Sequence, residues 1–325
     1  MTGVYDSFQR PLKYLRVSVT DRCNLHCFYC VPQAHFTSWP QENFLSYEEI
    51  VTIVRACANL GITKVRLTGG EPLVRAGITK LVAQIAQIET VDDLALTTNG
   101  LLLASLASEL KTSGLKRVNV SLDSLRPERL HRITGQNCFR RVMAGIEAAK
   151  KVGLDPVKIN MVVMRGINDD EVVDLARLTI TEGWHVRFIE LMPFGQAEAS
   201  QFISLEEIRQ RLSALGELEA VFDVQGDGPA RYFRFPGAKG SIGLITPISQ
   251  DFCAQCNRLR LTADGRLKPC LMGDEEVDLR TPLRSGASLE EIEGIIQEAA
   301  AIKPQSHCLA QGVTPTETAM FRMGG

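Results

Sequence analysis

A chain of 325 residues, 45% hydrophobic and 23% charged, is long enough to bury one large core with a smaller part beside it and too apolar to be mainly disordered. Thirty-six basic against 38 acidic residues leave a formal net charge of −2, which excludes a broad positive field for nucleic acid or an anionic membrane; an anionic ligand must be met by a local cluster of Arg and Lys. No apolar run reaches the length of a membrane span, and residues 1–10 are polar without the charged-then-apolar order of a secretion signal, so a cytoplasmic protein is expected, in which nine cysteines are more readily metal ligands or buried thiols than disulfides.

In chain order, strand-like runs fall at Tyr14 to Thr20, Lys64 to Thr68, Leu94 to Thr98, Arg117 to Leu122, Lys158 to Val163 and Val186 to Leu191, with helix-like stretches between them. Ser46-Tyr47-Glu48-Glu49 reads as a capping box ahead of an apolar-periodic stretch, and Asn168-Asp169-Asp170 reads as the cap of another helix. Parallel strands joined by helices imply right-handed crossovers and a buried sheet. Six units fall short of the eight that close a complete barrel, so an open, partial (β/α)6 barrel is expected, with an accessible interior. Polar clusters sit where the strands end: Thr20-Asp21-Arg22, Gly69-Gly70-Glu71, Thr97-Thr98-Asn99, Ser121-Leu122-Asp123 and Glu190-Leu191-Met192. That rim is where ligands bind in parallel βα folds.

After about Gly195 the texture changes. A helix from Ser204 to Leu215 is followed by short strand-like pieces broken by Gly and Pro, then by helical stretches at Val277 to Leu283 and Leu289 to Ile302. The division expected is residues 1–195 as the barrel and 196–325 as a smaller, loop-rich part.

Directly after the first strand lies Cys23-x3-Cys27-x2-Cys30. A ferredoxin-like cluster needs four thiolates, and this loop offers three, which leaves one iron open. An open iron can chelate the amino and carboxylate groups of methionine while the cluster supplies one electron to the sulfonium. The competing reading is a structural zinc site with His26 as fourth ligand, although His26 abuts Cys27 awkwardly. The loop resembles the signature of the radical S-adenosylmethionine superfamily, whose fold is a partial βα barrel. The resemblance implies that Gly70, in Gly69-Gly70-Glu71-Pro72, lies where the methionine amino group is received, that Ser121 and Met192 are further S-adenosylmethionine contacts, and that Tyr29 is the adenine-side contact. Singly, a Gly-Gly pair is usually a turn and a Met after a strand is usually core; their joint placement on one rim carries the reading. Glu71 either contacts the cosubstrate or stabilises the loop.

A second set, Cys253-x2-Cys256-x13-Cys270, lies in the loop-rich part. Its spacing alone suits either a second cluster with an open iron or a zinc site completed by a histidine such as His307. Cys256-Asn257-Arg258-Leu259-Arg260-Leu261-Thr262 alternates, so on a strand Arg258 and Arg260 share a face beside the metal, as a polyphosphate site requires. Arg16 and Lys158 stand within apolar strand stretches, where an unpaired charge is costly to bury. An anionic ligand inside the barrel settles all four.

The stretches Leu15 to Pro32, Lys64 to Leu73, Thr97 to Leu102, Asn119 to Asp123, Lys158 to Asp170, Arg187 to Met192 and Cys253 to Cys270 are similar to the GTP 3′,8-cyclase family of molybdenum cofactor biosynthesis. The resemblance implies two [4Fe–4S] clusters, S-adenosylmethionine as cosubstrate, and GTP bound by Arg16, Arg66, Thr97, Lys158, Arg258 and Arg260, with the second cluster facing the guanine. It implies no catalytic side chain beyond the cluster ligands. It implies that a 5′-deoxyadenosyl radical takes the ribose 3′ hydrogen and that the resulting carbon radical attacks C8. It further implies a C-terminal part that closes the open side of the barrel, a Gly324-Gly325 tail reaching the active site, an external electron donor, and hand-off of product to the next pathway enzyme. Oligomeric state, a homodimer included, is not set by the sequence. Gln9 stands where the family often has Gly and Val31 where it usually has Met; neither is a proposed ligand. Cys57, Cys138 and Cys308 fit buried or partly buried thiols. Two alternatives stay open: a radical enzyme that modifies a peptide, and a zinc-binding interaction protein.

Overall fold

The structure is a computed structural model and describes residues 3–30, 39–194, 196–307, 309 and 320–323. Val31, Cys308 and the Gly324-Gly325 tail lie outside the described residues. The strands are β1 (Tyr14–Ser18), β2 (Lys64–Thr68), β3 (Asp93–Thr98), β4 (Arg117–Ser121), β5 (Val157–Val163), β6 (His185–Glu190), β7 (Glu219–Ala220), β8 (Arg231–Arg234), β9 (Ser241–Ile245), β10 (Arg258–Leu261), β11 (Arg266–Lys268) and β12 (Val277–Asp278). They form one sheet in the order β12-β11-β10-β1-β2-β3-β4-β5-β6-β9-β8-β7, and its two ends do not pair with each other, so the barrel is open.

The six expected strands are present within a residue or two of their expected ends. The C-terminal strands do something the sequence reading did not anticipate: β10 pairs parallel with β1 and β9 parallel with β6, so the run of parallel strands grows to eight. Antiparallel pairs, β11 with β12 and β8 with β7, finish the two edges.

The helices are α1 (Tyr47–Asn59), α2 (Ile78–Ala86), α3 (Leu103–Thr112), α4 (Pro127–Thr134), α5 (Phe139–Lys151), α6 (Val172–Thr181), α7 (Leu205–Leu212), α8 (Arg280–Arg284), α9 (Leu289–Ala301) and α10 (Met320–Met323). Helix α1 begins on the expected capping box, with Ser46 Oγ accepting from the Glu49 amide at 3.1 Å and the Glu49 carboxylate accepting from the Ser46 amide at 2.6 Å. Its buried face, Ile50, Ile53, Val54 and Cys57, follows the helical period. Two expectations need correction. Asn168 does not cap α6: its side chain accepts from the Met164 amide and donates to the carbonyls of Asp123 and Val162, bracing the loop after β5. The stretch from Val277 is not helical throughout, because Val277 and Asp278 pair with β11 and the helix starts only at Arg280, where Asp278 accepts from the Arg280 and Thr281 amides.

Strand alternation divides the residues sharply. Leu15, Val17, Val65, Leu67, Val118 and Val120 turn to the helices and join the aliphatic core. The intervening positions carry Arg16, Arg66, Arg117, Asn119, Lys158, Arg187 and Arg260, all buried. Parallel strands covered by helices are ordinarily apolar on both faces. Here the inner face is lined with cations. Among the described residues no helix is long and apolar enough to cross a membrane.

Candidate active site

At the rim, the loops after β1 and β2 interlock. The Gly70 amide donates to the Thr20 carbonyl at 2.7 Å and the Glu71 amide to the Arg22 carbonyl at 2.8 Å. A Cβ on Gly70 would run into the Arg22 carbonyl group and the Asp21 oxygen, so the close approach requires glycine. Glu71 is buried and pins this pair to the loop after β3: one carboxylate oxygen accepts from the Leu73 amide (3.0 Å) and the Thr98 hydroxyl (2.7 Å), the other from the Asn99 amide (2.6 Å). Burial outweighs these three donors and raises the Glu71 carboxyl to about 7. Its loop-stabilising role is therefore visible, and it also lines the cavity.

That cavity is walled by Cys23, Cys27 and Cys30 together with Gly70, Ser121 and Tyr29. The Tyr29 hydroxyl donates to Asp123 Oδ2 at 2.7 Å, and Asp123 Oδ1 accepts from the Val162 amide at 2.9 Å, which fixes the cysteine loop against β4 and β5. Burial pushes the Cys23 thiol up to about 11 and Cys30 to about 12, and Cys27 well up as well, so all three are neutral until a metal ionises them.

A second cavity is lined by Cys253, Cys256 and Cys270 with Arg16, Arg66, Arg258 and Arg260 among its walls. Strand register sets the basic row: Arg260 on β10 lies opposite Arg16 on β1, which lies opposite Arg66 on β2. Burial first, then the neighbouring Arg260 and Arg66, hold the Arg16 guanidinium well below its ordinary range. Burial takes Arg66 and Arg260 down to about 10. The guanidinium of Arg258 lies over the Phe252 ring at 4.7 Å and within 3.8 Å of Cys256 Sγ. Burial opposes ionisation of Cys256, but Arg258 and Lys303 outweigh it and bring the thiol down to about 7.

The two cavities share Thr97, Asn160, Ile189, Met192 and Met320 as lining residues, so the two thiol sets open onto adjoining space at one rim. Both sets are free of disulfides and soft enough for iron or zinc. Among the described residues, no three His, Cys, Asp or Glu side chains close on a single metal ion; the thiols ring cavities. Of the histidines considered for zinc, His26 is exposed, whereas His307 lines the second cavity beside the thiols with both ring nitrogens engaged, Nε2 with the Pro247 carbonyl at 2.7 Å and Nδ1 accepting from the Leu309 amide.

Comparison with known proteins fits this geometry. A family profile described as the Radical SAM superfamily matches residues 17–179, and one described as Molybdenum Cofactor Synthesis C matches residues 184–309. A GTP 3′,8-cyclase of Moorella thermoacetica is 48% identical over 322 residues, covering 98% of this chain and 99% of that protein. The chain belongs to the GTP 3′,8-cyclase family. Another member, from Pelotomaculum thermopropionicum, is 50% identical over 311 residues, or 94% of this chain and 96% of the relative. In fold, the chain is similar to Streptococcus suis SuiB bound to S-adenosylmethionine (TM-score 0.60, 15% identity, 88% of this chain and 68% of that one) and to SuiB bound to its precursor peptide SuiA (TM-score 0.64, 14% identity, 96% and 75%).

Within this GTP 3′,8-cyclase family member, the expected residues fall as follows. Cys23, Cys27, Cys30, Tyr29, Gly70 and Ser121 line the first cavity; Cys253, Cys256, Cys270, Arg16, Arg66, Arg258 and Arg260 line the second; Thr97 and Met192 line both. Lys158 is the exception. It is buried beneath the cavities, its ammonium donating to the Gln225 carbonyl and to the Tyr232 hydroxyl (2.8 Å), and it is not a lining residue of either. Sequence reading missed Arg187, whose Nε donates to Asn160 Oδ1 at 2.7 Å at the shared wall, and the buried Lys303. Arg187 follows the same signal as Arg16, a charge inside an apolar strand, and could have been found by it.

Proposed function

We propose that this protein is a GTP 3′,8-cyclase, converting GTP and S-adenosylmethionine to (8S)-3′,8-cyclo-7,8-dihydroguanosine 5′-triphosphate, methionine and 5′-deoxyadenosine, the first step of molybdenum cofactor biosynthesis. The observation that carries the reading is the pair of three-cysteine cavities meeting at one wall, one of them lined by a row of buried arginines. It joins near-full-length similarity to proteins of that name. The cofactors are two [4Fe–4S] clusters with S-adenosylmethionine as cosubstrate, and the first cluster when bound supplies the electron that yields a 5′-deoxyadenosyl radical.

Residues 1–195 form the part that holds the first cluster through Cys23, Cys27 and Cys30. Residues 196–325 form the part that holds the second through Cys253, Cys256 and Cys270. Gly70 offers backbone to the methionine amino group, Ser121 and Met192 contact the cosubstrate, and Tyr29 stands on the adenine side, held there by Asp123. Arg16, Arg66, Arg258 and Arg260 grip the triphosphate, and Thr97 at the shared wall meets the nucleoside. Lys158, among Arg66 and Arg187, adds its charge from below once the bound polyphosphate raises its ionisation.

Taking the ribose 3′ hydrogen and joining C3′ to C8 requires two reacting carbons held close with water excluded; the chain's contribution is that positioning. The guanidinium grip acts away from the reacting atoms, so its binding energy serves orientation. A converging set of buried cations suits a polyphosphate better than a peptide. An external one-electron donor, a cytoplasmic location and hand-off of the product to the next pathway enzyme accompany the reading. Anaerobic incubation with GTP, S-adenosylmethionine and a strong reductant tests it: 5′-deoxyadenosine and a cyclised nucleotide should form together. Cosubstrate cleavage with GTP recovered intact would refute it.

A further inference from the structure

The segment Lys303 to His307, just after α9, has no part in the reading above, yet it touches all three pieces of chain that carry the second thiol set. Lys303 is 3% exposed. Its ammonium donates to the Arg258 carbonyl at 2.9 Å and the Pro269 carbonyl at 2.5 Å, and its charge favours ionisation of the Cys256 thiol. Pro269 precedes Cys270, and Arg258 follows Cys256 by two residues, so one ammonium ties two ligand segments together.

The third segment is held by the N-terminal hook. Arg10 donates to the Cys253 carbonyl at 2.6 Å, to Pro304 at 2.6 Å and to Gln305 at 2.8 Å, and is itself fixed by Asp6 at 2.5 Å. The hook turns at Gln9, whose φ of 62° is left-handed.

Burying an ammonium is costly unless it is both hydrogen-bonded and paired with charge. Carbonyls meet the first need. The thiolates of Cys256 and Cys270 meet the second once a metal is bound. A fixed positive charge beside cluster sulfurs favours the more negative, reduced state.

We propose that Lys303 is a positioning residue for the second iron–sulfur cluster: it aligns the Cys256 and Cys270 segments and lends them positive charge that raises the cluster's reduction potential, while Arg10 holds Cys253 in the same frame. This rests on the reading that Cys253, Cys256 and Cys270 hold a cluster. The test uses the anaerobically reconstituted full chain, iron analysis, and a redox titration followed by electron paramagnetic resonance. Wild type should carry about eight irons as two four-iron clusters. Lys303→Gln keeps an amide donor for the carbonyls and removes the charge; it should retain that iron while the second cluster titrates at a more negative potential and the first does not move. Lys303→Met and Arg10→Ala should each lose about half the iron and keep the first cluster's signal. Lys303→Gln at the wild-type potential, Lys303→Met with full iron, or loss of both clusters together would overturn the role of Lys303. Wild type with only about four irons would instead overturn the underlying cluster reading.

Discussion

Buried charge is the most informative feature at the scale of single residues. Arg16, Arg66 and Arg260 stand in register on adjacent strands with their ionisation depressed by burial, a gathering of like charges that a bound anion would stabilise. Losing one charge-assisted pair costs about 1.5–3 kcal/mol. Arg260→Ala should therefore weaken GTP binding by roughly 10- to 150-fold, while uncoupled cleavage of S-adenosylmethionine stays measurable; equal loss of both would show that the two sites are not separate in role. Lys158 allows a pH-based test. Burial first, then Arg187, Arg117 and Arg66, push its ammonium down to about 6. At pH 7.5 it is mostly neutral, and a polyphosphate brought near would raise it, so GTP binding should take up a proton. Calorimetry in buffers of different ionisation enthalpy should show greater uptake in wild type than in Lys158→Met. Identical uptake would remove Lys158 from the anion site. Thiol spacing and charges misplaced in apolar strands were readable from sequence at this scale. Lys303 was not, because a lone Lys near the end of a helix looks like any surface cation until the fold brings it under Cys256.

The elements show where local pattern stops being informative. Alternation within β1, β2, β4, β5 and β6 gave their existence and type, since helices cover the apolar face of each. Strands β9 and β10 are as short as the loop-rich stretches around them, and nothing local says that they extend the barrel sheet at opposite edges. Pairing over such separations is a tertiary fact. It is also what brings Arg258 and Arg260 beside Arg16. The same holds for the rim loops, where Gly69-Gly70-Glu71 reads as a turn but functions as a joint between three strands. Inserting a methyl at Gly70 would force the loops apart at a cost of about 1–3 kcal/mol. Gly70→Ala should lower the thermal midpoint and weaken S-adenosylmethionine binding together, as read by thermal unfolding and equilibrium binding. Unchanged values for both would mean that the interlocked loops do not set the cosubstrate site.

For the whole molecule, the central claim is adjacency. Each half of the chain supplies three cysteines, and the fold sets the two cavities against one shared wall of Thr97, Asn160, Ile189 and Met192, with Met320 from α10 completing it. Neither half alone contains the arginine row, which draws Arg16 and Arg66 from one and Arg258 and Arg260 from the other. Sequence spacing could identify both thiol sets but not their separation in space. Isotope transfer reads that adjacency directly. With GTP deuterated at the ribose 3′ carbon, S-adenosylmethionine and a reductant under anaerobic conditions, the 5′-deoxyadenosine formed should carry the deuterium. Unlabelled 5′-deoxyadenosine, formed while the labelled GTP is bound, would contradict the account.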